Sequence, residues 1–241
     1  MSPASVAVLL VAALLTSTLS GMAGMAGGIT LLAVMTATLP PALVVPLHGV
    51  VQLASNSSRI GLLLPNVRWP VIAFFAPTVA VGATAAALLW RGDLPFFRAG
   101  IGGFILLFLA WRRWSPRLRA LPVWTYGPLG LVTGFLGLFV GAVGPMVAPF
   151  FLRDDFRKEE TVATMAVAQA WVHFVKLPAF LALGFSYTPH LGLLAALMAC
   201  TVAGNWLGTK LLARFSEKGF ALFFEAVLAA VAVSLIAGVG A

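Results

Sequence analysis

Nine apolar runs, separated by short segments rich in glycine, proline and charge, make up most of the chain. A helix needs about 20 apolar residues to cross the hydrocarbon core of a bilayer, and several runs reach that length. Inside lipid, such runs must satisfy their backbone polar groups internally, as helices do. We therefore predict an all-α polytopic membrane protein. The runs cover residues 6–20, 29–39, 43–64, 69–90, 96–114, 123–140, 162–185, 191–212 and 220–239.

The composition excludes several other classes of protein. Of the 241 residues, 61% are apolar and only 9% are charged, whereas a soluble domain has about 25% charged residues. A soluble enzyme and a disordered chain are both excluded. The single cysteine, Cys200, lies inside an apolar run, so we expect no disulfide framework and no zinc cluster. We also predict no other metal site and no cofactor.

The net charge of +8 comes from basic residues scattered through short loops, with one cluster within residues 112–119. This distribution is typical of orientation signals and of contacts with anionic lipid headgroups. We therefore expect no nucleic-acid partner. Residues 1–5 lack the basic stretch that opens a signal peptide, so we expect the first run to remain in the mature protein.

Two segments, residues 5–39 and 123–152, are too long for one crossing and have a glycine-rich break in the middle. Each is either a re-entrant pair of short arms or one long broken helix. If the second segment crosses once, the 13 loop cations divide eight against five between the two sides. If it returns, they divide eleven against two. The positive-inside rule prefers the second division and therefore a re-entrant hairpin.

The chain is similar to itself at a shift of 117 residues, which aligns Gly24 with Gly141 and Gly27 with Gly144. Further along, Gly82 corresponds to Gly204 at a shift of 122. We predict two repeats within one integral membrane domain, residues 1–120 and 121–241, each with about four elements, of which the first is a broken or re-entrant helix. With three crossings per repeat, the second repeat would be inverted. Secondary transporters have this layout, with the substrate site near the midplane at the repeat interface.

The run after each break carries polar residues on one helix face, because they recur at i, i+4 and i+7. Ionisable residues inside membrane spans usually face a cavity and mark a substrate path. The two charged residues inside the spans, Arg59 and Lys176, are both positive, which favours an anionic substrate. The alternative is that they reach lipid headgroups while the amides bond neighbouring helices. The residues are His48, Gln52, Asn56 and Arg59 in the first half, and Gln169, His173 and Lys176 in the second.

Glycines at the two breaks complete the predicted substrate site. A half-helix that begins at such a break points free N–H groups into the membrane, where they can bind an anion. The alternative is close helix packing, since glycines four residues apart are common in membrane helices. The residues are Gly24, Gly27, Gly28, Gly141 and Gly144.

Acidic residues are nearly absent from the runs, which disfavours cation transport. The exception is Glu225, which we expect to pair with a basic residue near the interface; proton coupling is the alternative. His48 and His173 are better candidates for proton coupling, because imidazole titrates near neutral pH; hydrogen-bonded packing is the alternative. No catalytic motif is found, so we predict that the protein is not an enzyme.

These features together resemble the sulfite exporter TauE/SafE family, also called the toluene sulfonate uptake permease family. The resemblance rests on residues 24–28 (Gly-Met-Ala-Gly-Gly), on the polar span 48–59, and on their recurrence at 141–145 and 169–176. It covers essentially the whole chain and implies movement of sulfite, sulfonates or related organic oxyanions across the bacterial inner membrane. Pro145 replaces a glycine of the first repeat, which weakens the case for two equivalent backbone anion sites.

The resulting prediction is a secondary transporter in which Arg59 and Lys176 supply positive field and the neighbouring polar side chains supply hydrogen bonds. Alternating access would rock the two halves about this site. A passive anion channel is the alternative function, and a multipass enzyme or assembly factor is a second. The prediction is compatible with proton coupling and with a homodimer in the bilayer. The transport direction and the coupling ion stay open.

Overall fold

A computed structural model describes residues 2–23, 27–90, 97–114, 120–151, 153, 155–211, 226, 229–230, 232–233 and 235–237. Nine helices with defined bounds lie within this part of the chain, close to the first eight predicted runs. The described residues between 226 and 236, in the ninth run, are also helical. Short 3-10 turns precede α4, α6 and α9. The helices are α1 (Pro3–Ala23), α2 (Gly27–Thr38), α3 (Pro41–Leu63), α4 (Trp69–Leu88), α5 (Phe97–Trp114), α6 (Tyr126–Val140), α7 (Gly144–Phe151), α8 (Lys158–Ala182) and α9 (Leu191–Leu211).

Five segments in the described part are long and apolar enough to cross a membrane. Their outer faces expose large apolar side chains such as Leu88 and Trp206, as expected of helices solvated by lipid. Helix α3 carries the polar face and is not among the five segments. The prediction of an all-helical, multi-pass membrane protein is confirmed at this level. The five segments are Pro3–Gly21, Trp69–Leu88, Val123–Val140, Glu159–Ala182 and Thr188–Gly208.

Both long segments are broken, and in each the second arm folds back on the first. A Cβ added at Gly27, the first residue of α2, would overlap the carbonyl oxygen of Thr16 in α1. At the second break, the Tyr126 hydroxyl at the start of α6 donates to the carbonyl oxygen of Phe150, near the end of α7, at 2.5 Å. The chain therefore returns to where α6 began, as a helical hairpin does.

The helices form two compact units by contact density, and both units take helices from both predicted repeats. One contains α1, α2, α5 and α9; the other contains α4, α6, α7, α8 and α3 from Val45 onward. In the first unit α1 packs along α9, and in the second α4 packs along α6. Each pairing joins the first element of one predicted repeat to the third of the other.

Glycine contacts bring the backbones of these helix pairs together. A Cβ at Gly82 of α4 would overlap the Leu131 carbonyl oxygen of α6, and a Cβ at Gly204 of α9 would overlap the Leu14 carbonyl oxygen of α1. Gly82 and Gly204 correspond in the predicted repeat, and the shift of 117 takes Leu14 to Leu131. The same backbone contact therefore occurs once in each unit.

Helices α6 and α8 both end at a glycine in the left-handed region, where φ is 86° at Gly141 and 87° at Gly184. Residues with a Cβ are disfavoured there by sterics. After α6 the chain turns into α7 within three residues, whereas after α8 it leaves for the turn at residues 188–190. The ends of α6 and α8 are thus both specified locally by a glycine.

The connection between α7 and α8 is held by Arg153, whose side chain is buried. Its guanidinium donates to both carboxylate oxygens of Asp155, at 2.8 and 2.7 Å, and to the Tyr126 hydroxyl at 3.3 Å. It also lies 4.7 Å from the centroid of the Phe156 ring. The bonds from Arg153 hold the pKa of the Asp155 carboxyl below its ordinary value. This cation is therefore fully partnered by its own chain.

Candidate functional site

The polar face predicted on the third run is present on α3, in the second unit. His48, Gln52 and Asn56 are buried, and Arg59 is half-buried. The Asn56 amide donates to the Gln52 carbonyl oxygen at 2.8 Å, and its own oxygen accepts from the Arg59 guanidinium at 2.5 Å. The spacing of four and three residues makes this chain of contacts possible on one helix.

The matching face on α8 lies in the same unit and contains a buried lysine. Lys176 is 1% exposed and His173 is 4% exposed, while Gln169 is half-buried. The Lys176 ammonium lies 3.5 Å from His173 Nδ1. A lysine this deep usually requires an anionic partner or a functional reason.

The two faces, one from each predicted repeat, meet through their histidines. The rings of His48 and His173 lie edge to face, with centroids 5.8 Å apart. Next to His48, a Cβ at Gly49 would lie 3.8 Å from Cδ of Lys176. Gly49 therefore lies beside the lysine stem, and a Cβ there would make an ordinary contact with it.

The break between α6 and α7 supplies the other wall of the lysine site. The Lys176 ammonium donates to the carbonyl oxygen of Gly141 at 2.5 Å, and a Cβ at Gly137 would lie only 3.1 Å from Cε of Lys176. Gly141 does not expose its amide as we expected, because that N–H donates to the Gly137 carbonyl oxygen at 3.2 Å. At this break, a carbonyl rather than an amide faces the cation.

The first turn of α7 lies against Gln169. A Cβ at Gly144 would be 2.7 Å from Oε1 of Gln169. The Gln169 amide therefore occupies the space that a side chain at position 144 would need. Gly144 and Gln169 are thus neighbours, like Gly141 and Lys176. Four predicted site residues from α8 and from this break are brought together.

Gly27 and Gly28, at the first break, belong to the other unit. Gly27 packs against Thr16 and Ser20 of α1, which is the close-packing role that we held as the alternative. Gly28 is half-buried and has an interaction of its own. Gly24 lies outside the described residues, as does Glu225.

Two glycines lie against the stem of Lys176, and the tighter contact is at Gly137. Neither Gly49 nor Gly137 is among the predicted site residues. The available signal was the depth of the lysine, since a stem buried between helices needs small neighbours. Trp171, also not among the predicted site residues, donates from its indole N–H to the Ala76 carbonyl oxygen at 2.8 Å.

No carboxylate pairs with Lys176 within the part of the chain that the structure describes. The ion pairs there are Arg68 with Glu160, Arg157 with Glu160, and Arg153 with Asp155. Among the same residues, no group of His, Cys, Asp and Glu could hold a metal ion. The site is therefore basic and amide-rich, and its chemistry suits an oxyanion.

Comparison with known protein families identifies the chain. The family model for sulfite exporter TauE/SafE matches residues 9–235, nearly the whole chain. Searches of curated proteins and of solved structures gave no significant match. The resemblance found in the sequence is confirmed: the chain belongs to the sulfite exporter TauE/SafE family, a family of membrane transporters for sulfur compounds.

Proposed function

We propose that this protein is a secondary transporter that moves a sulfonate, sulfite or related organosulfur oxyanion across the bacterial inner membrane by alternating access. The buried Lys176 ammonium carries the proposal, because its hydrogen-bond partners, Gly141 and His173, are neutral groups able to accept its protons. A buried charge without an opposite charge is costly. A bound oxyanion would offset that cost.

The anion would bind between α3 and α8. Lys176 would contact it directly, and Arg59 would add positive field from the other helix. Oxyanions of sulfur offer several acceptor oxygens, which suits a site with many N–H donors. The donors on these two faces are the side chains of His48, Gln52, Asn56, Gln169 and His173.

We also propose that the two halves are inverted repeats and that this site lies at their interface near the midplane. The matching contacts of Gly82 with Leu131 and of Gly204 with Leu14 support the repeat. Tags in the loop at residues 112–119 and after Lys210 test the inversion. Both tags should report the cytoplasm; opposite sides would contradict an inverted arrangement.

A thermal-shift screen of the detergent-purified protein tests the substrate class. Sulfite, thiosulfate, taurine, an aromatic sulfonate, an aliphatic carboxylate and chloride are compared at equal concentration. A ligand that binds the native state raises the melting temperature by mass action. Selective stabilisation by a sulfur oxyanion is expected. No stabilisation, or an equal effect of chloride, would contradict the proposal.

Counterflow in proteoliposomes separates a carrier from the channel alternative. Vesicles loaded with the unlabelled anion are diluted into labelled anion, with no net gradient imposed by other means. A carrier that alternates between two faces should accumulate label transiently and saturate as the external concentration rises. Label that only equilibrates, at a rate that never saturates, would indicate a channel.

A further inference from the structure

We propose that the site takes up one proton together with each anion, and that His173 is the group that receives it. This inference rests on the proposed anion site and gives it a coupling partner. It follows from the contact between two basic groups, from their burial and from the absence of acidic neighbours in the described part of the chain.

The contact between Lys176 and His173 limits the charge that the empty site can hold. An ammonium has three donors and no acceptor, so it can bond His173 Nδ1 only when that nitrogen carries no proton. The 3.5 Å hydrogen bond therefore cannot form between an ammonium and an imidazolium. With this bond in place, the pair carries at most one positive charge.

Among the residues that the structure describes, the titratable groups nearest to the pair are basic. From α3, the titratable neighbours are His48, 5.8 Å from the His173 ring, and Arg59. Along α8 the nearest acid is Glu160, 13 residues before His173, which is about 20 Å along a helix.

The other helices that pack against α8 bring no charge into this region. Residues 69–88 of α4 contain no ionisable side chain, and residues 126–151 contain only Tyr126. Tyr126 is engaged at the far end of α6, with Phe150 and Arg153. A second proton on the Lys176–His173 pair would therefore find no compensating anion among the described residues.

An entering oxyanion supplies that compensation. With a negative charge beside Lys176, the imidazolium form of His173 becomes favourable, because an opposite charge nearby favours the charged form of a base. The imidazolium would also have N–H donors at both ring nitrogens. Anion binding and proton uptake are then linked, and each strengthens the other to the same extent.

Calorimetric titration of the purified protein measures the linked proton. Thiosulfate and ethanesulfonate are the probes, because neither changes charge between pH 6 and pH 8. Titrations are run in Bis-tris, imidazole and Tris, which differ in ionisation enthalpy and, unlike many common buffers, are not sulfonates. The wild type should take up about one proton per anion, and its affinity should fall up to about tenfold per pH unit as pH rises.

Variants of the three histidines locate the proton. His173→Gln should bind more weakly at pH 6 and lose both the proton uptake and the pH dependence. His190→Gln, on the turn before α9, is the matched control and should keep both. Proton uptake that persists in His173→Gln, or that disappears instead in His48→Gln, would overturn the assignment.

The same titrations separate failure of this inference from failure of the proposed function. Binding of either probe without proton uptake would overturn the inference and leave the anion site standing. If neither probe bound at pH 6 or pH 8, and the thermal-shift screen found no other sulfur oxyanion, both proposals would fall.

Discussion

Arg153 and Lys176 are both buried cations of the same unit, 7% and 1% exposed, yet their surroundings differ. Arg153 forms two bonds with Asp155 and a third with Tyr126. Lys176 contacts a glycine carbonyl and an imidazole. Asp155 is the counter-ion of Arg153, whereas no carboxylate among the described residues pairs with Lys176, for which we propose a bound anion as the counter-ion. A buried cation therefore indicates a ligand only when the protein has not already neutralised it.

Replacing Lys176 by leucine should have the largest effect on this comparison. We expect Lys176→Leu to lose about 2–5 kcal/mol of anion-binding free energy, because a buried charge partner is removed. Without ligand, its melting temperature should stay level or rise, since an uncompensated charge is gone. The thermal-shift screen measures both. Lys210→Leu is the control, because Lys210 is an exposed lysine over the Trp206 ring; a Lys176→Leu variant with wild-type affinity would contradict the site.

Replacing Arg153 should give the opposite pattern. Arg153→Met removes three hydrogen bonds and leaves Tyr126 without a donor, so we expect unfolding to become easier by about 1–3 kcal/mol. Anion affinity should not change. Arg157→Met removes a cation whose side chain is 72% exposed and should cost less than about 1 kcal/mol. Loss of anion binding in Arg153→Met would break the distinction between the two cations.

Gly141 and Gly184 both have positive φ, but only Gly141 contacts Lys176, so replacing each of them compares a glycine at the site with one away from it. Gly141→Ala and Gly184→Ala should each cost about 1–2 kcal/mol of stability, because both positions have positive φ. Only Gly141→Ala should also weaken anion binding, since the Gly141 carbonyl positions Lys176. Denaturation and titration of the two variants in parallel test this. If Gly141→Ala and Gly184→Ala bind the anion with equal affinity, the Gly141 carbonyl does not contribute to anion binding.

The smallest expected effect is that of acidification on the stability contributed by the Arg153–Asp155 pair. The pKa of Asp155 is lowered in the folded state from its ordinary 3.8 by its bonds with Arg153, so the pair stabilises the fold above that pH and loses its effect as pH falls through the lower folded value. The carboxylate is 42% exposed, so we expect less than about 1 kcal/mol. The stability difference between wild type and Asp155→Asn should shrink on acidification; a constant difference would contradict this linkage.

The sequence predicted the helices and the polar faces well, because both depend on periodicity. Residues four and three apart on a helix must share a face, so the contacts from Gln52 to Arg59 follow from spacing alone. The breaks at residues 24–28 and 141–145 were also visible, since few residues other than glycine permit such turns.

What the sequence could not give was which groups meet across helices. The contact of His48 with His173 depends on how α3 and α8 pack, and no local pattern specifies it. The orientation of the peptide at Gly141 is also a tertiary property. We expected its N–H to face the site, whereas its carbonyl oxygen does. We also did not predict that each unit would combine helices from both repeats, because periodicity carries no information about which helices pack together.

The pairing of α1 with α9 has a consequence for synthesis of the chain. Because Leu14 rests on Gly204, α1 leaves the ribosome almost the whole length of the chain before its partner exists. The unit that holds Lys176 needs nothing beyond residue 189 and can assemble earlier. Domains usually fold as they emerge, N-terminal first. Here α1 can pack on α2 early, but the face of α1 that contacts α9 is covered only after Gly204 has been made.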